Sequence, residues 1–375
     1  MKEKRIRYFS YYGCSDPLRQ RDNSPAADPK IDYIISALNR CGYAVDLISC
    51  ANSATGHFLH GYIEKKSNGN TLRYFSRLGN RSRMARAVNH FFMKFQFLLW
   101  GLFNLRRNEE VLVYHSLGYA GVFLILFKLK RLHIIGEIEE IYQDVHAQKK
   151  SYARDEYKFI GICDKFLFPT SLLNDKLNKE KKPFVIIHGV YSVEPSMADK
   201  FDDGKIHVVY GGTLDPKKGG AVAAVSAAEF LPENYHVHIC GFGDPTQIKA
   251  VVADVSVRSK ATVTFEGELK GEDYKKFIQK CHIGLSTQDP NAAFNATSFP
   301  SKILVYLSNG LKVVSIRIPA IEKSAVADNV IFYEIQSPQM IAQAIEKSVN
   351  SNIDGAKKLK KLDDKFSEDL NKLIE

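Results

Sequence analysis

The chain has 375 residues, with 52 Lys and Arg against 42 Asp and Glu, six Cys and 45% hydrophobic residues. That length exceeds what one compact core serves, which predicts two domains. Ordinary apolar and charged fractions exclude a disordered, collagen-like or disulfide-scaffold chain.

The net charge of +10 is unevenly spread. Residues 1–190 carry 30 basic against 18 acidic side chains, and the remaining 185 carry 22 against 24. The cysteines are scattered with no C-x-x-C pair, which argues against a zinc or redox motif. The opening MKEKRIRYFSYYG has basic residues but no apolar h-region, so it reads as a first strand and not a signal peptide. The most apolar stretches, 91–105 and 122–132, are shorter than the roughly 20 residues that cross a bilayer. A cytoplasmic, non-spanning protein is expected.

In chain order, a strand at 6–10 is followed by a polar loop to 29. Asp28 and Pro29 read as a cap with proline at the first helical position, opening a helix to about Asn39. Strands follow at 44–49, 110–115, 132–137, 165–169 and 184–188, with an apolar helix at 121–130. Residues 189–204 lose this periodicity, and the linker is placed at 191–204. The alternation restarts with strands at 207–210, 235–240, 261–266, 282–286, 312–316 and 330–333. Strands alternating with helices predict parallel sheets covered on both faces. The expected architecture is α/β, with doubly wound Rossmann-like domains at 1–190 and 205–352 facing a cleft. Residues 353–375 place Leu359, Leu362, Phe366, Leu370 and Leu373 at helical spacing, an amphipathic helix packing on the body.

Three segments of the second domain suit an anionic ligand. The first, VVYGGTLDPKKGG, ends a strand in Gly211 and Gly212, so that backbone can approach a ligand, with Lys217 and Lys218 following. A plain turn is the alternative. The second, ICGFGD, places Gly241 and Gly243 after another strand but lacks the third glycine of a dinucleotide fingerprint, so a bland turn also fits. The third, TSFPSKILVYLSNG, opens a helix near Ser298, Pro300 and Ser301 and closes it at Gly310. Its first-turn amides and Lys302 favour a phosphate, although an ordinary capped helix with a solvated lysine reads the same way. All three lie at strand ends of one domain.

Together these segments resemble the donor-binding domain of GT-B glycosyltransferases, most closely the family 4 group of bacterial sugar transferases. GGTLDPKKGG is similar to that family's glycine–basic–x–x–x–Lys–Gly loop, and FPSKILVYLSNGLKVVS to its Pro-Ser-Lys run. The resemblance covers 184–316. It implies a sugar moved from a nucleotide-sugar donor to a lipid-linked or polysaccharide acceptor, with retention of configuration and no metal. No Asp-x-Asp motif is present.

By the same resemblance Gly212 lets the loop approach the donor diphosphate and Lys218 neutralises it. Ser301, with Lys302 beside it, holds the distal phosphate. The sequence departs from the family at Thr213, where an arginine is usual, and at Thr297 and Val305, where a glutamate pair is usual. Lys217 is a substitute for the missing arginine. A GT-B-fold nucleotide-sugar epimerase and a catalytically silent GT-B partner subunit are the alternative functions.

In the first domain Glu137 ends an apolar strand in the run EIEEIY and is the candidate catalytic base. Glu139 and Glu140 are alternatively solvated at a helix start. The loop Gly13, Ser15 and Asp16 is the candidate acceptor contact, while His115 and His188 read as structural. Residues 71–108 hold eight basic and no acidic side chains among many aromatics. That composition suits an anionic membrane surface at the inner face of the membrane. Nucleic acid ranks lower because no recognised module is present, and a core helix with solvated arginine flanks is the plainer alternative.

Overall fold

The computed structural model describes all residues except 1–3, 14–19, 23, 25, 80, 143–149 and 216–218. The chain divides into one unit of Met1–Ile187 with Lys365–Glu375 and a second of His188–Asp364.

The first unit runs β1 (Lys4–Ser10), α1 (Ala27–Arg40), β2 (Tyr43–Ser49), β3 (Tyr62–Lys65), β4 (Thr71–Tyr74), α2 (Arg83–Asn104), β5 (Glu110–Tyr114), α3 (Ala120–Lys130), β6 (His133–Glu137), α4 (Lys150–Ile162), β7 (Lys165–Phe168), α5 (Ser171–Leu177) and β8 (Phe184–Ile186). Among the described residues its sheet has the order β3-β4-β2-β1-β5-β6-β7-β8. All pairings are parallel apart from the β3–β4 hairpin. The hairpin turns through Asn68-Gly69, with Gly69 at φ +82°.

Apolar runs such as Val111-Leu112-Val113 are buried on both faces, as a covered parallel sheet requires. Phe9, Phe97 and Phe123 pack within 5.3 Å centroid to centroid at the centre of this core.

The first unit corrects two expectations. Helix α1 begins at Ala27, with Asp28 and Pro29 inside its first turn. Asp28 is buried and accepts from the Gly13 amide at 3.1 Å, so its carboxylate ties the preceding loop and does not cap the helix. Nor is 71–108 one basic surface. Arg77 is only 2% exposed, and its guanidinium donates to the Ala51 carbonyl at 3.1 Å and the Cys50 carbonyl at 2.6 Å. Phe75 and Phe97 are core residues. Ser82 caps α2 by accepting from the Ala85 amide. Asn89, Met93, Phe97 and Gly101 form the helix's buried face.

The second unit runs β9 (Ile206–Thr213), α6 (Gly220–Ser226), β10 (Tyr235–Phe242), α7 (Thr246–Arg258), β11 (Thr262–Gly267), α8 (Gly271–Lys280), β12 (Ile283–Ser286), α9 (Lys302–Ser308), β13 (Lys312–Ile316), α10 (Pro319–Glu322), β14 (Val330–Tyr333), α11 (Pro338–Val349) and α12 (Gly355–Ile374). Its sheet is parallel throughout, in the order β11-β10-β9-β12-β13-β14. That is a Rossmann order, with the chain switching direction across the sheet between β9 and β12. Ligands of such sheets bind outside the carboxyl ends of the strands at this switch. The last eleven residues belong to the first unit, where Phe366 stacks on Tyr33 at 5.5 Å.

Arg77→Ala strips the buried Cys50 carbonyl of its side-chain donor and leaves the Ala51 carbonyl with Arg21 alone, at 3.2 Å. It is expected to cost about 3 kcal/mol, read as a lower urea midpoint at unchanged slope, with little rescue by Arg77→Lys because an ammonium lacks the forked geometry.

Candidate functional site

At the carboxyl ends of β9 and β10 the two glycine segments meet. Gly241 pairs with Gly212 across the ladder, and a Cβ at Gly241 would lie 2.1 Å from the Gly212 carbonyl oxygen. No side chain fits there, so this glycine is demanded by close backbone approach.

Lys302, the first residue of α9, reaches the same point. Its Nζ sits over the Tyr210 ring at 3.9 Å from the centroid, and a Cβ on Gly212 would lie 3.0 Å from it. The ammonium therefore rests on bare backbone at Gly212 and on a π face beneath. One helical turn on, the buried Tyr306 hydroxyl accepts from the Gly211 amide at 2.8 Å. Helix α9 is thus fixed to the β9 loop at both Lys302 and Tyr306.

The other donor-site candidates fall around this junction. Thr213 is half-buried, and its hydroxyl accepts from the Asp215 amide at 3.3 Å. Gly243 is exposed at φ +118°. Ser298 and Pro300 are half-buried and Ser301 is exposed. Ser301 stands before α9 in helical geometry with no side-chain cap bond, so the expected helix opening lies later than Ser298. Gly310, at φ +74°, ends the helix as expected. The Val305 carbonyl accepts from the Asn309 amide group at 2.8 Å, while its isopropyl group offers no acceptor to a ribose. Lys217 and Lys218 lie outside the described residues.

Tyr210 and Tyr306 were not singled out from the sequence. The available signal was the spacing of Tyr306 four residues after Lys302, which puts both on one helix face.

In the first unit, Tyr8, Tyr114 and Glu137 share one sheet face by register. Glu137 is 0% exposed, and the Tyr8 hydroxyl donates to its Oε2. The candidate catalytic base Glu137 thus lies buried, with its carboxyl engaged by Tyr8. Burial, with the Glu139 carboxylate second, pushes its carboxyl up to about 8, so at neutral pH it is predominantly a neutral acid.

Half-buried Glu139 is the outward partner and pairs with Lys30 Nζ at 2.5 Å. Lys30 also donates to the Ile187 carbonyl at 3.0 Å. Gly13 has its amide on Asp28 and its carbonyl on the Tyr74 hydroxyl, so its backbone is engaged within the fold. Ser15 and Asp16 lie outside the described residues. His115 is buried against Phe159, and burial lowers its pKa to about 4. His188 Nε2 accepts from the Ala325 amide at 3.1 Å.

Residues 205–351 match the family model described as Glycosyl transferases group 1. The second unit therefore carries a domain that matches this glycosyltransferase family model. No curated protein matches the chain in sequence. In fold it is similar to the UDP-forming trehalose-phosphate synthase of Burkholderia xenovorans, with a TM-score of 0.65 at 11% identity over 99% of this chain and 100% of that one. It is similar also to Anabaena Alr3699/HepE in complex with UDP, with a TM-score of 0.62 at 11% identity over 99% and 98%. Trehalose-6-phosphate synthase OtsA gives 0.67 at 9% identity over 98% and 97%.

The raised Glu137 pKa sets a pH window. The folded state holds this proton up to about 8, while the unfolded chain releases it near the ordinary 4.5. Above 4.5 the unfolded state binds fewer protons, so the stability due to neutral Glu137 is full below 4.5 and is lost as pH rises through 8. Glu137→Gln, which stays neutral, is expected to match the wild type in melting temperature at pH 4.5 and exceed it at pH 8.5. Parallel melting curves across this range would refute the assignment.

Proposed function

We propose that the chain transfers a sugar from a nucleotide-sugar donor to a lipid-linked or polysaccharide acceptor, with retention and without a metal at the transfer site. The observation that carries this reading is Lys302 Nζ over Tyr210 and against the Gly212 backbone. It concentrates positive charge where a backbone with no side chains leaves room for a diphosphate. Departure of a nucleoside diphosphate is the costly part of sugar transfer, and fixed donors and cations are what stabilise the charge it develops. Lys302 and the exposed Ser301 supply such groups, with Lys218 as the catalytic cation of the loop and Lys217 replacing the arginine absent at Thr213. The fold neighbour HepE was solved in complex with UDP and glucose, which supports a nucleotide sugar as donor. Retention, and independence from metal in the transfer itself, rest on the resemblance to family 4.

The acceptor side of the proposal rests on α2. Met84, Val88, Phe91, Phe95, Leu99 and Phe103 are all exposed, Met84, Phe91 and Phe103 to 77%, 71% and 84%. Their spacing of three and four residues makes one apolar stripe, opposite the buried face of the same helix. Arg83 and Lys94 lie beside it. An apolar stripe flanked by cations suits a helix lying in an anionic membrane interface. Among the described residues no helix is long and apolar enough to cross a membrane. We therefore assign the chain to the inner membrane surface as a peripheral protein, where a lipid-linked acceptor resides.

Two measurements test this. Lys302→Ala and Lys218→Ala are each expected to lower kcat/KM for transfer or donor hydrolysis by about 10²–10³-fold. Unchanged turnover in both variants would refute the site, and wild-type binding of donor without turnover would indicate a silent subunit. Vesicles containing anionic lipid are expected to sediment the wild type at low salt but not a Phe91→Asp, Phe95→Asp double variant. Equal sedimentation of both would refute the role of α2.

A further inference from the structure

The opposite, amino ends of β9 and β10 carry a second arrangement. His207 lies beside His236 in the parallel register, and His238 follows two residues later on the same face. The three rings bring one nitrogen each within 4.8 Å of one another. His207 and His238 are buried and His236 is half-buried. We propose that His207, His236 and His238 form a binding site for one divalent transition-metal ion of the zinc class, joining β9 to β10.

The contacts around the rings are one proton short. Asp203 Oδ1 lies 2.8 Å from His207 Nε2, His207 Nδ1 lies 2.8 Å from His238 Nε2, and His238 Nδ1 lies 2.8 Å from Glu266 Oε1. Each contact requires one hydrogen, yet two neutral imidazoles bring only two, and the Thr264 hydroxyl, 3.1 Å from His238 Nδ1, donates its own to Glu266 Oε1. The two carboxylate oxygens are acceptors in these contacts and bring none. With the outer nitrogens donating to the carboxylates, His207 Nδ1 and His238 Nε2 present lone pairs to each other.

Either an added proton or a metal ion relieves this. Neutral imidazole at neutral pH is the form that ligates metal.

The surroundings match a metal's outer shell. Metal-bound histidines characteristically give their second N–H to a carboxylate, as His207 does to Asp203 and His238 to Glu266. The two carboxylates balance a divalent charge. The His236 Nε2 contact is Thr264 Oγ1 at 3.0 Å, which leaves Nδ1 as its ligand atom. Phe201 stacks on His207 at 4.2 Å and Phe277 stands edge-on to His238 at 5.3 Å, giving an apolar wall. His282 is not a ligand, because its Nδ1 accepts from the His207 amide at 3.0 Å. Three imidazoles at tetrahedral geometry leave a fourth position for water, and binding at about 2.0 Å per nitrogen opens the 2.8 Å pair by about 0.5 Å. Gly211 lies four residues along β9 from His207, about 13 Å away. The ion therefore acts as a staple of the sheet, apart from sugar transfer.

The test uses the full chain without a histidine tag, stripped with chelator and titrated with Co²⁺. One equivalent is expected to give the visible absorption of tetrahedral, nitrogen-ligated cobalt, and Zn²⁺ is expected to erase that band and raise the melting temperature. His236→Ala and His238→Ala should abolish the band, Glu266→Gln should weaken binding about 10–100-fold, and His282→Ala should leave it intact. No band and no zinc-dependent melting shift in the wild type would overturn the proposal. So would a band retained in His236→Ala, the half-buried variant that remains informative if His238→Ala does not fold, or a thiolate charge-transfer band indicating cysteine ligands.

Discussion

The Gly212 carbonyl lies where a Cβ on Gly241 would stand, and the second unit's candidate chemistry depends on that contact. With neither side chain present, two strand ends approach as bare backbone, and the ammonium of Lys302 settles on them above the Tyr210 ring. Tyr306, one turn further along α9, locks the geometry by accepting from the Gly211 amide. A positive group fixed on bare backbone at the switch point of a parallel sheet is the arrangement on which the proposed diphosphate site rests. The segments that meet there lie within residues 205–351, which match the family model described as Glycosyl transferases group 1.

The first unit obeys a different constraint. Its sheet face carries a carboxyl at Glu137 that burial keeps neutral under Tyr8, while the charged carboxylate is displaced two residues on to Glu139, held by Lys30. Carboxylates at one strand end have thus divided into a buried acid that serves the fold and an outward ion pair. The excess positive charge divides too. Arg77 is consumed inside the fold as a donor to loop carbonyls, whereas Arg83 and Lys94 border the apolar stripe of α2.

Much of this was legible in the sequence because it depends on local period. Buried runs such as Val208-Val209 and Val313-Val314 mark parallel strands, and glycines after them mark loops. That the Gly212 and Lys302 segments lie at strand ends of one domain was legible, whereas their contact over the Tyr210 ring was not. Features that depend on register were not legible. His207 and His236 are 29 residues apart and become neighbours only through the pairing of β9 with β10, so the absence of a C-x-x-C motif said nothing about them. The hairpin at 62–74 escaped because half-buried Glu64 and exposed Lys65 hide its alternation, leaving Asn68-Gly69 as its one signal. Arg77 was misread because charge alone does not reveal that Cys50 and Ala51 leave carbonyls needing a donor.

The central claim is that a donor diphosphate is held between the loop after β9 and the start of α9. Amide hydrogen exchange with and without a nucleoside diphosphate tests it directly. Protection is predicted at 211–220 and at 298–304 together, without comparable change at the amino ends of β9 and β10. Binding that leaves both segments unprotected, or that protects some other part of the second unit instead, would contradict the account.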